Sequence, residues 1–119
     1  MRNEIIEGPV NTAAQYGDRD VKLYCTVHVT TDIGMEWRYT SDPGGDPAGQ
    51  RIYESYNDEV NDDLRDMFDV ERSGEDGNGH ELFTLIVKEM TKELGGDYTC
   101  RMLVYTTISA TAELVAVST

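Results

Sequence analysis

Polar and apolar side chains alternate along much of this chain. Between residues 21 and 28, the apolar residues Val21, Leu23, Cys25 and Val27 take every second position. A period of two places these side chains on one face of a β-strand, so the segment is predicted to be half-buried. The same alternation, or a short run of β-branched and aromatic residues, predicts further strands at 35–39, 51–56, 67–71, 82–87, 98–104 and 109–117.

Turn-forming residues separate these segments at intervals of roughly ten residues. An edge strand interrupted by proline is predicted at 7–16, and a loop rich in Pro, Gly and Asp at 41–50. Residues 57–66 are predicted to form a polar loop with a short edge strand or a helical turn, and 73–79 a glycine-rich hairpin. Eight or nine short strands without a long helical pattern indicate an all-β sandwich.

Length and charge narrow the possibilities. The chain has 119 residues, 39% of them hydrophobic, which suits a single domain spanning 1–119. Its formal net charge of −13 would repel nucleic-acid phosphates and an anionic membrane surface over most of the protein. No apolar run approaches the roughly 20 residues that cross a bilayer. We therefore predict no nucleic-acid partner and no direct membrane insertion by this domain.

The two cysteines, Cys25 and Cys100, are 75 positions apart, and neither has a Cys or His neighbour at metal-binding spacing. This favours one long-range disulfide over a zinc site. Closing a loop of that size would stabilise the fold by about 4 kcal/mol in a chain-entropy estimate. A disulfide implies an oxidising compartment and an extracellular location, whereas two buried, reduced thiols in the cytosol are the alternative.

The cysteines, a tryptophan and a tyrosine together resemble the signature of the immunoglobulin superfamily. In that family a cysteine of strand B, a tryptophan of strand C and a Tyr-x-Cys of strand F pack together. Here these are Cys25, Trp37, Tyr98 and Cys100, and Leu85 fits the apolar pattern that precedes strand F. The resemblance covers nearly the whole chain. It implies a two-sheet antiparallel Greek-key sandwich with one inter-sheet disulfide.

The resemblance also bears on the type of domain. A spacing of 75 between the cysteines and the segment 50–53 favour a variable-like or intermediate set over the shorter constant-like set. Leu94 stands where the family usually has an aspartate, so the usual ion pair at that corner is lost unless Glu93 replaces it. More weakly, 98–104 and 112–115 are similar to the membrane-distal domain of neuronal adhesion proteins of the lachesin and amalgam type.

Variable-like members of the family commonly bind partners through the sheet formed by strands G, F, C and C′. The outward residues of that sheet are predicted to be Glu36, Arg38, Tyr53 (or its neighbour Ile52), Thr99, Arg101, Leu103 and Tyr105. Leu103 and Tyr105 matter most, because apolar side chains that project from a central strand need a covering element or a partner. The alternative is that neighbouring side chains cover them.

Two other groups of residues are candidates for sites of chemistry. Ten acidic residues between 54 and 76 could bind calcium, but a solvated acidic edge that discourages aggregation is the favoured interpretation. His28 and His80 are the only histidines, no motif places a nucleophile beside them, and both are predicted to be surface residues. The chain is thus not predicted to be an enzyme, and no cofactor is expected.

These observations favour a cell-surface recognition or adhesion module that binds a protein partner, homophilically or heterophilically. Because the sequence starts just before one predicted strand and stops just after another, we expect it to be part of a longer multidomain receptor. An intracellular spacer domain of the giant-muscle-protein kind is the alternative from another class. An immune-type receptor domain that binds a non-self ligand differs from the first hypothesis only in its partner.

Overall fold

The computed structural model of this chain describes residues 3–28, 34–40 and 49–118. The strands in these segments are β1 (Glu4–Glu7), β2 (Thr12–Gln15), β3 (Arg19–His28), β4 (Met35–Thr40), β5 (Gln50–Glu54), β6 (Glu59–Val60), β7 (Phe68–Arg72), β8 (His80–Glu89), β9 (Gly96–Met102) and β10 (Ser109–Val117). Single-turn 3-10 helices occupy Asp62–Leu64 and Lys92–Leu94. The seven strands predicted between residues 21 and 117 are therefore confirmed.

One sheet contains four strands in the order β1-β3-β8-β7. Its centre is the antiparallel pair of β3 and β8, which stays in register from Arg19 opposite Glu89 to His28 opposite His80. Leu23, Cys25 and Val27 of β3 are buried, as their alternation predicts. This sheet closes one side of the core.

The other sheet contains six strands in the order β2-β10-β9-β4-β5-β6. All its pairs are antiparallel except the edge pair, in which β2 runs parallel to β10. Extension of the sheet beyond β4 by β5 and β6 is the feature that separates variable-type from constant-type immunoglobulin domains. The topology therefore agrees with the variable-like prediction.

The N-terminal segment differs from the single interrupted edge strand predicted at 7–16. β1 and β2 belong to different sheets, and the chain crosses between them at Gly8 and Pro9. A Cβ at Gly8 would lie 2.6 Å from the Cβ of Ala110, so this close approach to β10 requires a glycine. Pro9 has no N–H to donate, which helps to end pairing with the first sheet. The crossing gives ten strands rather than eight or nine in the described residues.

The core lies between the two sheets and is joined by one covalent link. Cys25 of β3 and Cys100 of β9 form a disulfide with their Cα atoms 6.5 Å apart. Trp37 lies opposite Cys100 on β4, and Trp37 and Leu85 are both fully buried. The prediction of an all-β, two-sheet sandwich with one inter-sheet disulfide is confirmed.

A buried hydrogen bond fixes the corner before β9. The Tyr98 hydroxyl donates to the carbonyl oxygen of Leu94 at 2.6 Å, and both side chains are buried. This is the tyrosine corner of immunoglobulin-like folds. In the part of the chain that the structure describes, Glu93 is exposed and forms no ion pair. The hydroxyl bond and apolar packing therefore hold this corner in place of an Arg–Asp pair.

The polar segments agree with prediction where the structure describes them. Residues 57–66 contain both the short strand β6 and a 3-10 turn. The predicted loop at 41–50 lies outside the described residues except for Gly49 and Gln50, where β5 begins. Among the described segments, no helix has the length and apolar character needed to cross a membrane.

Candidate protein-binding face on the six-stranded sheet

Strand register arranges the outward surface of the six-stranded sheet into rows that run across β10, β9, β4 and β5. The first row consists of Ser109, Arg101, Glu36 and Glu54. The second row consists of Thr111, Thr99, Arg38 and Arg51. We call Arg38, Arg51 and Arg101 the arginine cluster, because all three guanidinium groups converge on one carboxylate.

That carboxylate belongs to Glu36. Its Oε1 accepts hydrogen bonds from Arg51 Nε at 2.8 Å and Arg38 Nη1 at 3.0 Å, and its Oε2 accepts from Arg101 Nε. The Glu36 side chain is 1% exposed, against 17% for Arg38, 24% for Arg101 and 47% for Arg51. The arginines therefore cover Glu36 and form the accessible surface themselves.

The ionisation of Glu36 follows from this arrangement. Burial alone would raise the pKa of the carboxyl, but hydrogen bonds from Arg101, Arg51 and Arg38 outweigh it and hold the pKa below its usual value of 4.5. Glu36 is thus ionised at neutral pH. It neutralises one of the three positive charges around it.

An apolar patch adjoins the arginine cluster at the end of the sheet where β9 runs into the turn before β10. The backbone N–H of Leu103 donates to the Gly34 carbonyl at 2.8 Å, which places Leu103 one row beyond the cluster. A Cβ on Gly34 would lie 2.6 Å from Leu103 Cδ1 and 2.7 Å from the Tyr56 ring, so both side chains lie over this glycine. Tyr56, Val104 and Tyr105 are 55%, 57% and 50% exposed. We call Tyr56, Leu103, Val104 and Tyr105 the apolar end.

The predicted position of two apolar residues needs correction. Leu103 and Tyr105 do not project from a central strand, because β9 ends at Met102 and both lie in the turn that follows. Leu103 is half-buried against Tyr56, whereas Tyr105 is exposed. A role for Leu103 and Tyr105 in binding remains a prediction.

The predicted outward position of Tyr53 is wrong. Arg38 pairs with Arg51, and the adjacent Trp37 pairs with Tyr53, so β5 has a bulge at Ile52. The extra residue breaks the period of two, and both Ile52 and Tyr53 are buried. Tyr53 points into the core, where its ring lies 6.4 Å from that of Phe83.

The other predicted face residues point outward but differ in exposure. Arg38, Thr99 and Arg101 are partly exposed, and the Thr99 and Thr111 hydroxyls share a hydrogen bond of 2.8 Å. Glu36 also points outward, but it is buried because the arginine cluster covers it.

Sequence reasoning missed three residues of this face, namely Arg51, Tyr56 and Val104. Arg51 lies two positions before Tyr53, so the alternation that placed Tyr53 outward would have placed Arg51 outward as well. Tyr56 and Val104 lie in turns, where alternation does not tell which side chains are exposed. The available signal for Arg51 was its position at the start of a predicted strand, in the same sheet as Arg38 and Arg101, which were predicted to face outward.

The histidines show one further difference. His28 is buried rather than on the surface, because Glu4 of β1 and His80 of β8 flank it in the four-stranded sheet. The rings of His28 and His80 are 5.2 Å apart in an edge-on arrangement. His80 is partly exposed.

The acidic residues between 54 and 76 are spread over several elements, and some are paired. Asp58 accepts a hydrogen bond of 2.5 Å from the Tyr53 hydroxyl, and Asp62 forms an ion pair of 2.9 Å with Arg65. Across 3–28, 34–40 and 49–118, no group of three or more His, Cys, Asp or Glu side chains is arranged to hold a metal ion.

The strand order, the inter-sheet disulfide and the tyrosine corner define an immunoglobulin-like domain. Solved structures agree with this class. The chain resembles the RIG-5 IG1 homodimer structure with a TM-score of 0.72 and 18% identity, covering 98% of this chain and 99% of that one. For Dpr1 IG1 bound to DIP-eta IG1, the TM-score is 0.69 and the identity 17%, with coverage of 98% and 97%. For the Ig1 domain of mouse SynCAM 2, the values are 0.63 and 20%, with coverage of 98% and 97%.

At these identities the likeness establishes the fold. The compared structures are of immunoglobulin domains. No protein-family model and no curated protein matches the sequence.

Proposed function

We propose that this chain is an extracellular recognition or adhesion module that binds a protein partner through the outward face of its six-stranded sheet. The binding face comprises the arginine cluster and the apolar end. In this proposal the domain belongs to a longer secreted or cell-surface protein. The disulfide supports that location because such bonds persist in oxidising compartments.

The observation that carries the proposal is the apolar end. Tyr56 lies with Leu103 over Gly34, one row beyond Arg101, and Tyr56 is 55% exposed. Val104 and Tyr105, which follow Leu103 in the chain, are also at least half exposed. Aromatic residues and arginine are enriched at the centres of protein interfaces, where they contribute most of the binding free energy.

Two of the similar structures support binding between domains of this fold. One is a homodimer of RIG-5 IG1, and another is Dpr1 IG1 bound to DIP-eta IG1. They supply one homophilic and one heterophilic precedent.

The test is a double substitution, Val104→Asp with Tyr105→Asp, in the purified domain. Both side chains are exposed in the free domain, so the fold should survive. In the complex the two introduced carboxylates would be buried at the interface, which should abolish binding. Binding would be measured against an array of purified extracellular domains, and self-association by sedimentation equilibrium.

A matched control is Tyr24→Asp. Tyr24 is 49% exposed, like Tyr105 at 50%, but it lies on the four-stranded sheet. The proposal predicts normal binding in this control. Partner binding that survives the double substitution, or is lost equally in the control, would contradict a binding site on the six-stranded sheet.

A further inference from the structure

Two guanidinium groups of the arginine cluster, those of Arg51 and Arg101, retain unused hydrogen-bond donors. Arg51 and Arg101 each donate Nε–H to Glu36. Within the described residues, their terminal Nη atoms have no hydrogen-bond partner. The two Nη groups of a guanidinium form a planar fork that matches a carboxylate. Glu36 therefore holds both arginines by one edge and leaves the other edge available.

The arginine cluster is a positively charged patch on a protein with a negative net charge. The chain carries a formal net charge of −13, with only 10 basic residues against 23 acidic ones. Acidic side chains border the cluster on both sides: Glu54 and Glu59 toward the edge strand β6, and Asp97 and Glu113 in the row beyond Thr99. A long polyanion would meet repulsion from this border, whereas a compact acidic group would not.

This charge pattern disfavours a second copy as the occupant. A two-fold symmetric contact places the same patch on both subunits. Centred on the cluster, it would oppose arginines to arginines and the acidic border to itself, and like charges in an interface are costly.

We propose that the arginine cluster is a carboxylate-binding site for a different protein. This inference rests on the proposed function. That partner presents one or two Asp or Glu side chains that are surrounded by basic residues. Beside them it presents an apolar residue that contacts the apolar end. Arg51 and Arg101 bind the carboxylates through their Nη forks. Glu36 is a positioning residue that holds the forks in place.

The experiment is an NMR titration of the ¹⁵N-labelled chain, in which the arginine Nε–H signals are followed directly. The probe is the peptide KKEYEKK, and the matched peptide KKQYQKK lacks only the carboxylates. We expect saturable shifts of the Arg51 and Arg101 signals and about fivefold tighter binding of the glutamate peptide, as for a partly exposed ion pair.

Arg51→Gln should abolish the preference for the glutamate peptide, because Arg51 is the most exposed member of the cluster. Arg38 and Arg101 remain on Glu36 in this variant, so the fold should persist. The control is Arg19→Gln, which removes an equally charged, 70% exposed side chain from the four-stranded sheet. It should keep the full preference.

Equal affinity for the two peptides, or the same loss in both variants, would overturn the site. If a heparin hexasaccharide displaces the glutamate peptide at a concentration below that of the peptide, the site binds a polyanion, and the proposal of a compact carboxylate ligand is wrong. If the chain forms a dimer and Arg51→Gln dissociates it, the occupant of the site is a second copy of the chain, and the proposal of a different protein is wrong. If Val104→Asp with Tyr105→Asp abolishes partner binding and Arg51→Gln leaves it unchanged, the carboxylate site is wrong while the proposed function stands.

Discussion

Replacing Glu36 with glutamine should destabilise this domain more than any other removal of a single acid from the same sheet. Gln preserves the volume and one acceptor oxygen, but it exchanges the second oxygen for an amide NH2 group, a donor that faces an arginine donor. Arg38, Arg51 and Arg101 would then be packed together without a counter-charge.

The magnitude follows from the geometry. Hydrogen bonds to a charged group contribute about 1.5–3 kcal/mol each, and removing one partner of a fully buried ion pair costs about 3–5 kcal/mol. The arginines here are partly exposed, and water can solvate them after the substitution. We therefore expect a loss of about 2–3 kcal/mol in the free energy of unfolding, or roughly 10 °C in Tm for a domain of this size.

Urea unfolding at neutral pH measures this loss, with Glu113→Gln as control. Glu113 lies on β10 of the same sheet, is exposed, and changes the net charge equally. That control should stay within about 0.5 kcal/mol of the parent protein. If Glu36→Gln is no more destabilising than Glu113→Gln, the cluster does not stabilise the fold.

The pH dependence provides a second check. The pKa of Glu36 is lower in the folded chain than its usual value of 4.5, so unfolding at acid pH takes up a proton. The stability that the Glu36 carboxylate contributes is complete above pH 4.5 and is lost as the pH falls through the depressed pKa of the folded state. The difference between the parent and Glu36→Gln should therefore shrink below that pH. A difference that stays constant down to about pH 2 would refute the ionic origin of the effect.

Other predictions concern the framework. Replacing Cys25 and Cys100 together by alanine should lower the free energy of unfolding by about 4 kcal/mol; an unchanged urea midpoint would contradict the loop-closure estimate. Tyr98→Phe deletes the hydroxyl that donates to Leu94 at 2.6 Å and should cost about 1–2 kcal/mol in thermal unfolding, whereas an unaltered Tm would show that the corner does not need it. Gly49 has φ +58° and a Cβ there would lie 2.5 Å from a backbone oxygen, so Gly49→Ala should cost at least about 1 kcal/mol in urea unfolding, and a neutral result would contradict the strain.

Much of the framework could be predicted from the sequence. Its signals are either local alternation of apolar and polar residues or a few residues at a characteristic spacing. Alternation located β3, β4 and β9, since a strand with one buried face must repeat every two residues. Cys25, Trp37 and the Tyr-x-Cys at 98–100 identified the sandwich, because their side chains must meet in its core.

The outward face of the six-stranded sheet was predicted only in part. Arg38, Thr99 and Arg101 point outward as the alternation of β4 and β9 requires. Tyr53 was misplaced because a single bulge in β5 shifts the phase of alternation. Arg51 was not named, although it lies two positions before the predicted Tyr53 and does face outward.

The sequence by itself determined the fold class, the seven strands between residues 21 and 117 and most of the inward residues of the core, because burial imposes periodicity along the chain. Only the tertiary structure decided what the outward residues form. It brought Arg38, Arg51 and Arg101 from three different strands onto Glu36, and it ended β9 before Leu103. Contacts between strands far apart in sequence depend on register, bulges and turns, which leave no periodic trace in the chain.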